Sequence, residues 1–192
     1  MFEGTDRKKQ ILDAATKLFA EKGFHHTTVG EIANFAGVGK GTVYEYFPSK
    51  KDVLKELLAA AIEYYFGLFP SKVAGNLKLK EKLHLMTSLH FWFFLEHRDI
   101  ARVVLYEHRQ ITEDLEPIMV KKEQERISYV AAILEEGSSR GEIRPVDCQL
   151  AARVISGALW NMGMDLVLSP SVYDGDELIN GVVDILWSGL KS

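Results

Sequence analysis

Sulfur and long greasy runs are both scarce in this chain of 192 residues. A single cysteine, Cys148, excludes any intramolecular disulfide, and a free thiol suits a reducing compartment. No run reaches the ~18 apolar residues of a membrane span, and charged residues from Glu3 to Lys9 stand where an export signal would be apolar. Repeats and low-complexity tracts are missing as well. These absences predict a cytoplasmic chain without a membrane partner. Nor is there a nucleophile elbow, a phosphate-cradling glycine loop, a zinc-helix motif or a dinucleotide fingerprint, which argues against an enzyme. Cys148 falls at an expected helix start, where a thiolate would be stabilised, but no histidine lies near it in sequence. His84, His90, His97 and His108 lack the close ligand spacing of a metal helix, so no metal or other cofactor is expected. Strand-like alternation is absent too, and the apolar period stays near 3.6, the signature of an all-α chain.

Charge of one sign is also lacking: the formal balance is −4. It is unevenly spread. Residues 1–51 hold eight Lys+Arg against six Asp+Glu, a balance of +2, and the remainder holds 15 against 21, or −6. A mildly positive head on an acidic body has the right sign for a nucleic-acid reader of modest phosphate affinity per monomer.

What is present is concentrated in residues 27–51, TTVGEIANFAGVGKGTVYEYFPSKK. Thr28 and Glu31 have the spacing of a capping box. Val29, Ile32, Ala33 and Ala36 then make one apolar stripe, and Gly37 follows where a helix end wants a left-handed residue. A second short helix begins near Gly39–Lys40, turns Val43 and Phe47 inward, and leaves Lys40, Thr42, Tyr44 and Tyr46 outside. Ala33, Gly37 and Val43 have the mutual spacing of two helices crossing through a tight turn, as in a helix-turn-helix. An ordinary helical hairpin without a ligand fits the same pattern. Upstream, Asp6–Lys22 reads as an amphipathic helix with Ile11, Ala14, Ala15, Leu18 and Phe19 inside and Gly23 as its stop. Downstream, Ser49 and Asp52 cap a helix that buries Val53, Leu54, Leu57, Leu58 and Ala61.

The stretch ILDAATKLFAEKGFHHTTVGEIANFAGVGKGTVYEYFPSKKDVL resembles, without gaps, the N-terminal domain of the TetR family of bacterial transcriptional regulators. The resemblance rests on Ala14, Phe19, Gly23, Thr28, Ile32, Ala33, Gly37, Val38, Gly41, Tyr44, Phe47 and Lys50. It implies a homodimer in which a small molecule in a C-terminal domain resets two DNA-reading heads. Domain limits of 1–50 and 51–192 follow. In such a head, Gly39, Lys40, Gly41, Thr42, Tyr44, Glu45 and Tyr46 approach double-stranded DNA. Lys40 is the candidate for a base edge, Tyr44 and Lys50 resemble the family's phosphate contacts, and Thr28 lies near a phosphate position while serving as a cap. Glu45 departs from the pattern. It could accept from a cytosine amino group, or be a solvated partner of Lys22 or Lys40. His25 and His26 could add charge at mildly acidic pH, or have no role.

The rest of the chain reads as helices near 50–69, 78–95, 99–111, 115–138, 147–168 and 174–190, with breaks at Pro70–Gly75–Asn76, near Asp99, and at Glu113–Pro117, Gly137–Gly141–Pro145 and Ser169–Pro170–Gly175. With the head's three that makes nine. The helix at 50–69 joins the domains, so its tilt would move the head. Leu150, Val154, Ala158, Leu159 and Met162 form one stripe and Leu178, Val182 and Leu186 another, with Ser156, Gly157 and Gly163 permitting close approach. The stripes either close a four-helix dimer bundle or serve the protomer's own core. The end of helix 78–95 is apolar nearly all round, which predicts burial on every side.

A second resemblance is carried by HFWFFLEHRDIARVVLYEHRQ, with Glu107, Gly137 and Gly141–Glu142–Ile143, and is to the fatty-acid-degradation regulators of the same family. It implies a hydrophobic acyl-CoA effector, with Phe91, Phe94, Leu95, Tyr106, Trp160 and Met164 around an acyl chain and Arg98, Arg102 or Arg109 meeting phosphates or a carboxylate. Arg109 could equally pair with Glu107 or Glu113. The alternatives are a regulator of another aromatic or drug-like ligand, and a helical protein-interaction module that has lost DNA binding.

Overall fold

The computed structural model describes residues 1–73, 77–107, 112–169 and 175–191. Among them there are helices and no strands: α1 (Asp6–His26), α2 (Val29–Phe35), α3 (Lys40–Tyr46), α4 (Lys50–Lys72), α5 (Leu79–Glu96), α6 (Arg98–Glu107), α7 (Thr112–Ser139), α8 (Cys148–Leu168) and α9 (Gly175–Leu190). The expected positions Gly75, Asn76, His108, Arg109 and Pro170 lie outside the described residues. No described helix is long and apolar enough to cross a membrane.

The chain forms two compact units. One contains Met1–Tyr64 and His97–Met119, the other Tyr65–Glu96 and Val120–Ser192. The first therefore holds α1 to α3, most of α4, and α6, which packs along α1.

In the first unit the inward stripes are those the sequence implies. Ile11, Ala14, Ala15, Leu18 and Phe19 of α1, Ile32 and Ala33 of α2, Val43 of α3 and Val53, Leu54, Leu57, Leu58 and Ala61 of α4 are buried. Gly37 takes φ +67°, and the Val38 N–H reaches the Ala33 carbonyl at 2.9 Å, closing α2 in the way that favours glycine. Gly23 does not simply end α1. At φ +83° and ψ 161° it breaks the helix, and a further short turn runs on to His26.

In the second unit α5 packs against α8 and α9. Gly163 makes the α5–α8 approach possible, because a Cβ there would lie 2.7 Å from His90 Nε2 and from Phe94. Gly163 and the buried Ser156 thus serve contact within the protomer. Gly137 gives α7 the same closeness to Leu79 of α5.

Three expectations need correction. Pro70 and Pro117 lie inside α4 and α7. Each is near a helix end, where the one backbone hydrogen bond that proline removes costs little continuity. The end of α5 is not buried all round, since Trp92 and Leu95 are 41% and 46% exposed while Phe91, Phe93 and Phe94 are buried. The stripes of α8 and α9 are split by the helical turn. Leu159 and Leu178 face the protomer's core, whereas Leu150, Val154 and Ala158 are exposed and Met162, Val182 and Leu186 are half-buried.

Candidate nucleic-acid interface and effector core

The head is assembled from its caps outward. Thr28 Oγ1 accepts the Glu31 N–H at 3.2 Å, and Glu31 Oε2 accepts the Thr28 N–H at 2.8 Å, so the capping box is complete. Lys22 pairs with Glu31 as well. That hydrogen bond, with the two from Thr28, holds the Glu31 carboxyl down to about 2. Lys22 is therefore committed to Glu31 and not to Glu45, which is exposed and has no ion-pair partner among the described residues.

On α3, Gly39, Lys40, Gly41, Tyr44 and Glu45 are exposed and Thr42 is half-buried. The Lys40 ammonium sits 5.9 Å from the Tyr44 ring centroid, a cation–π distance that keeps both side chains on the outer face. Tyr46 turns away from that face, and its hydroxyl accepts from Thr5 Oγ1 at 3.1 Å at the start of α1. The structure thus presents Lys40, Thr42, Tyr44 and Glu45 together and sets Tyr46 to structural work.

Lys50 is placed differently from a free phosphate contact. Its ammonium donates to the carbonyls of Phe24 and Thr27, each at 2.6 Å, and stands 4.3 Å from the Phe24 ring centroid. These carbonyls belong to the turn after the Gly23 break, so Lys50 serves as a cap for the end of α1. Burial pushes the ammonium below its ordinary range, with Glu107 and Glu31 opposing the shift. The Phe24 N–H donates to Glu107 Oε1 at 2.8 Å. Sequence reading missed this part of the head because Glu107 lies 83 residues from Phe24. A carboxylate on an otherwise apolar helical face was its one visible signal.

The second unit is organised around a buried polar pair. Tyr65 and His90 are joined by a 2.7 Å hydrogen bond at His90 Nδ1, and His90 Nε2 lies 2.6 Å from the Leu159 carbonyl. A carbonyl only accepts, so Nε2 carries the proton and Nδ1 accepts from the Tyr65 hydroxyl. Burial pushes His90 down to about 3, with the Arg126 charge adding to the effect, and pushes the Tyr65 phenol up. Both nitrogens of His90 are thereby engaged, and His97 packs edge-on against Tyr64 with ring centroids 5.2 Å apart. Among the described residues no three metal-ligating side chains converge.

Aromatic rings gather about Tyr65. Phe93 lies 5.0 Å from it, Phe94 6.2 Å and Trp160 6.5 Å between centroids, and Phe94 and Trp160 meet at 5.7 Å. Of the expected effector residues, Phe91 and Phe94 are buried here, Met164 is half-buried, and Leu95 and Trp160 are exposed. Arg98 and Arg102, half-buried, and the exposed Tyr106 belong to the first unit, and Arg109 lies outside the described residues. Tyr65 itself carried no signal in the sequence. At Cys148, burial and the charges of Glu135 and Asp147 push the thiol up, the opposite of an activated nucleophile.

On the outside of α8 and α9, Leu150 and Val154 are each 60% exposed and Ile185 is 74% exposed. They line a groove of about 620 Å³ with Ala151, Ile155 and Leu186.

Residues 11–57 match the model of the bacterial regulatory proteins, tetR family, and residues 76–163 match that of the tetracyclin repressor-like C-terminal domain. The fatty acid metabolism regulator protein of Bacillus subtilis is 32% identical over 184 residues, covering 95% of each chain. The HTH-type transcriptional repressor KstR2 of Mycolicibacterium smegmatis is 31% identical over 161 residues, covering 80% of this chain and 76% of that one. Among solved structures, the transcriptional regulator FadR from Bacillus subtilis in complex with stearoyl-CoA superposes with a TM-score of 0.78 at 32% identity, covering 94% of this chain and 98% of its own. The capping box, the Gly37 turn and α3 all fall within the residues that match the N-terminal family model, and the chain belongs to the TetR family of bacterial regulatory proteins.

Proposed function

We propose that this protein is a repressor that binds a palindromic operator as a homodimer and is released by a long-chain acyl-CoA. The observation that carries the reading is the similarity, along 95% of both chains, to a fatty acid metabolism regulator. A related solved chain holds stearoyl-CoA. In this chain an acyl tail is matched by the aromatic layer around Tyr65, to which Phe94 and Trp160 contribute. Apolar walls with a few fixed polar groups are the usual composition of a site for such a ligand.

Each head would place α3 in a major groove, with Lys40 at the base edges and Thr42 and Tyr44 at bases or phosphates. Two heads read two half-sites about one helical turn, ~34–36 Å, apart. The exposed stripe of Leu150, Val154 and Ile185 supports the dimer, since a second copy would remove it from water. Cytoplasmic residence follows from the DNA target.

Native mass spectrometry of the purified protein tests the whole reading. A dimer carrying an acyl-CoA mass is the expected result, and stearoyl-CoA should then dissociate the dimer from its operator. A monomer at micromolar concentration would sink the two-headed mechanism. Isothermal titration without binding of any acyl-CoA, from short to long chains, would remove the effector.

A further inference from the structure

The geometry points to Glu107, the last residue of α6, as a positioning residue for DNA reading, holding the turn between α1 and α2 in the arrangement that aims α3. The inference rests on the reading of α3 as the DNA-contacting helix. Glu107 is only 7% exposed, an unfavourable place for a carboxylate unless it is hydrogen-bonded. Its partner is the Phe24 N–H, at 2.8 Å. That N–H is available because Gly23, at φ +83° and ψ 161°, rotates the following peptide out of the helical path. A Cβ on Gly23 would stand 3.2 Å from Glu107 Oε1, so the carboxylate and the glycine are fitted to each other.

The same turn is gripped from its carbonyl side by Lys50, through Phe24 O and Thr27 O. An anion meets its N–H and a cation meets its carbonyls, which fixes the turn in both position and polarity. Thr27 also anchors itself, its hydroxyl donating to the Gly23 carbonyl at 2.9 Å. The next residue is Thr28, the N-cap of α2, and α2 leads through the Gly37 turn into α3. A displacement of the turn therefore becomes a change in the direction of α3.

The test uses the full chain and a duplex selected from random DNA by the wild-type protein. Binding of the selected and a random duplex is compared for wild type, Glu107→Gln, Glu107→Ala, Lys50→Met and the Lys50→Met/Glu107→Ala pair. Glu107→Ala should weaken the selected duplex about tenfold, a usual size for coupling between sites. Random-duplex binding should stay within about twofold and the salt slope should be unchanged, because no phosphate contact is lost. Glu107→Gln keeps an acceptor for the Phe24 N–H without the charge, and should fall between. The double variant should lose no more than its worse parent, since both residues act through one turn.

Amide exchange at Phe24–Thr28 should quicken in Glu107→Ala while the melting transition stays cooperative. Equal losses on both duplexes, or wild-type affinity and protection in both Glu107 variants, would overturn the inference. A salt slope reduced by about 0.9 in Lys50→Met, with additive losses in the double variant, would return Lys50 to a phosphate contact and overturn the shared turn. A wild-type protein that selects no duplex would instead overturn the DNA reading, and the exchange data would still decide whether Glu107 holds the turn.

Discussion

Both units bury charged side chains, Glu107 in the first and Lys82 and Arg126 in the second, but they differ in the polar group at their centre. In the first unit, charged side chains tie separate helices and one turn together: Lys22 with Glu31, Lys8 with Glu56 at 2.7 Å, and Lys50 and the buried Glu107 on opposite sides of the turn after Gly23. In the second unit the decisive polar pair, Tyr65 and His90, is neutral and wholly buried among aromatic rings. Water still screens the head's ion pairs, so each is weak alone and they act together by fixing geometry. The buried pair works through packing and through one fixed proton.

Four experiments would break or sharpen that contrast. The largest effect should come from Gly163→Val. Its Cβ would enter the space of His90 Nε2 and Phe94, and overpacking of this kind costs about 3 kcal/mol. Chemical denaturation should register the loss in the second unit, and a variant as stable as wild type would mean that the α5–α8 approach is not tight.

Acidification comes next. The native His90 imidazole resists protonation until about pH 3, whereas the unfolded chain takes up its proton near pH 6.5. Between those values the unfolded state binds more protons, so this contribution to stability falls as pH drops below 6.5. From pH 6.5 to 5 the loss should be about 1.5 kcal/mol, and His90→Phe should flatten that part of the stability profile. A flat wild-type profile would show that the ring is not held neutral.

Lys40→Ala should weaken the selected duplex by about 1–3 kcal/mol and relax one base preference. Equal losses on selected and random DNA would sink the base-reading role. The smallest change is Thr28→Ala, which removes one cap for about 1 kcal/mol of stability, readable in a thermal melt. It should also free the Glu31 carboxyl from the hydroxyl's hydrogen bond, while the backbone N–H of residue 28 and Lys22 keep theirs.

The same contrast explains what could be read in advance. The head's turns are encoded by neighbours in sequence: Thr28 with Glu31 three residues on, and Gly37 beside the helix it closes. Local spacing is enough to see them. Glu107 with Phe24, Tyr65 with His90 and Lys50 with Thr27 join residues 83, 25 and 23 positions apart, and periodicity says which face of a helix is apolar without saying what meets it. For that reason the sequence does not reveal that Lys50 holds the Phe24 and Thr27 carbonyls, nor that Leu159 and Leu178 are buried in the protomer while Leu150 and Val154 are exposed. The close approach at Gly163 marks the side of α8 that turns inward, with Ala152, Ile155 and Leu159 buried on it.

The buried imidazole has one further consequence. The proton on His90 Nε2 is shielded between an aromatic layer and the Leu159 carbonyl. Such a proton exchanges slowly with water and resonates far downfield of the amide envelope in a proton NMR spectrum. The protein thus carries its own unlabelled reporter in the middle of the aromatic core, one line whose position would record every change in the packing around it.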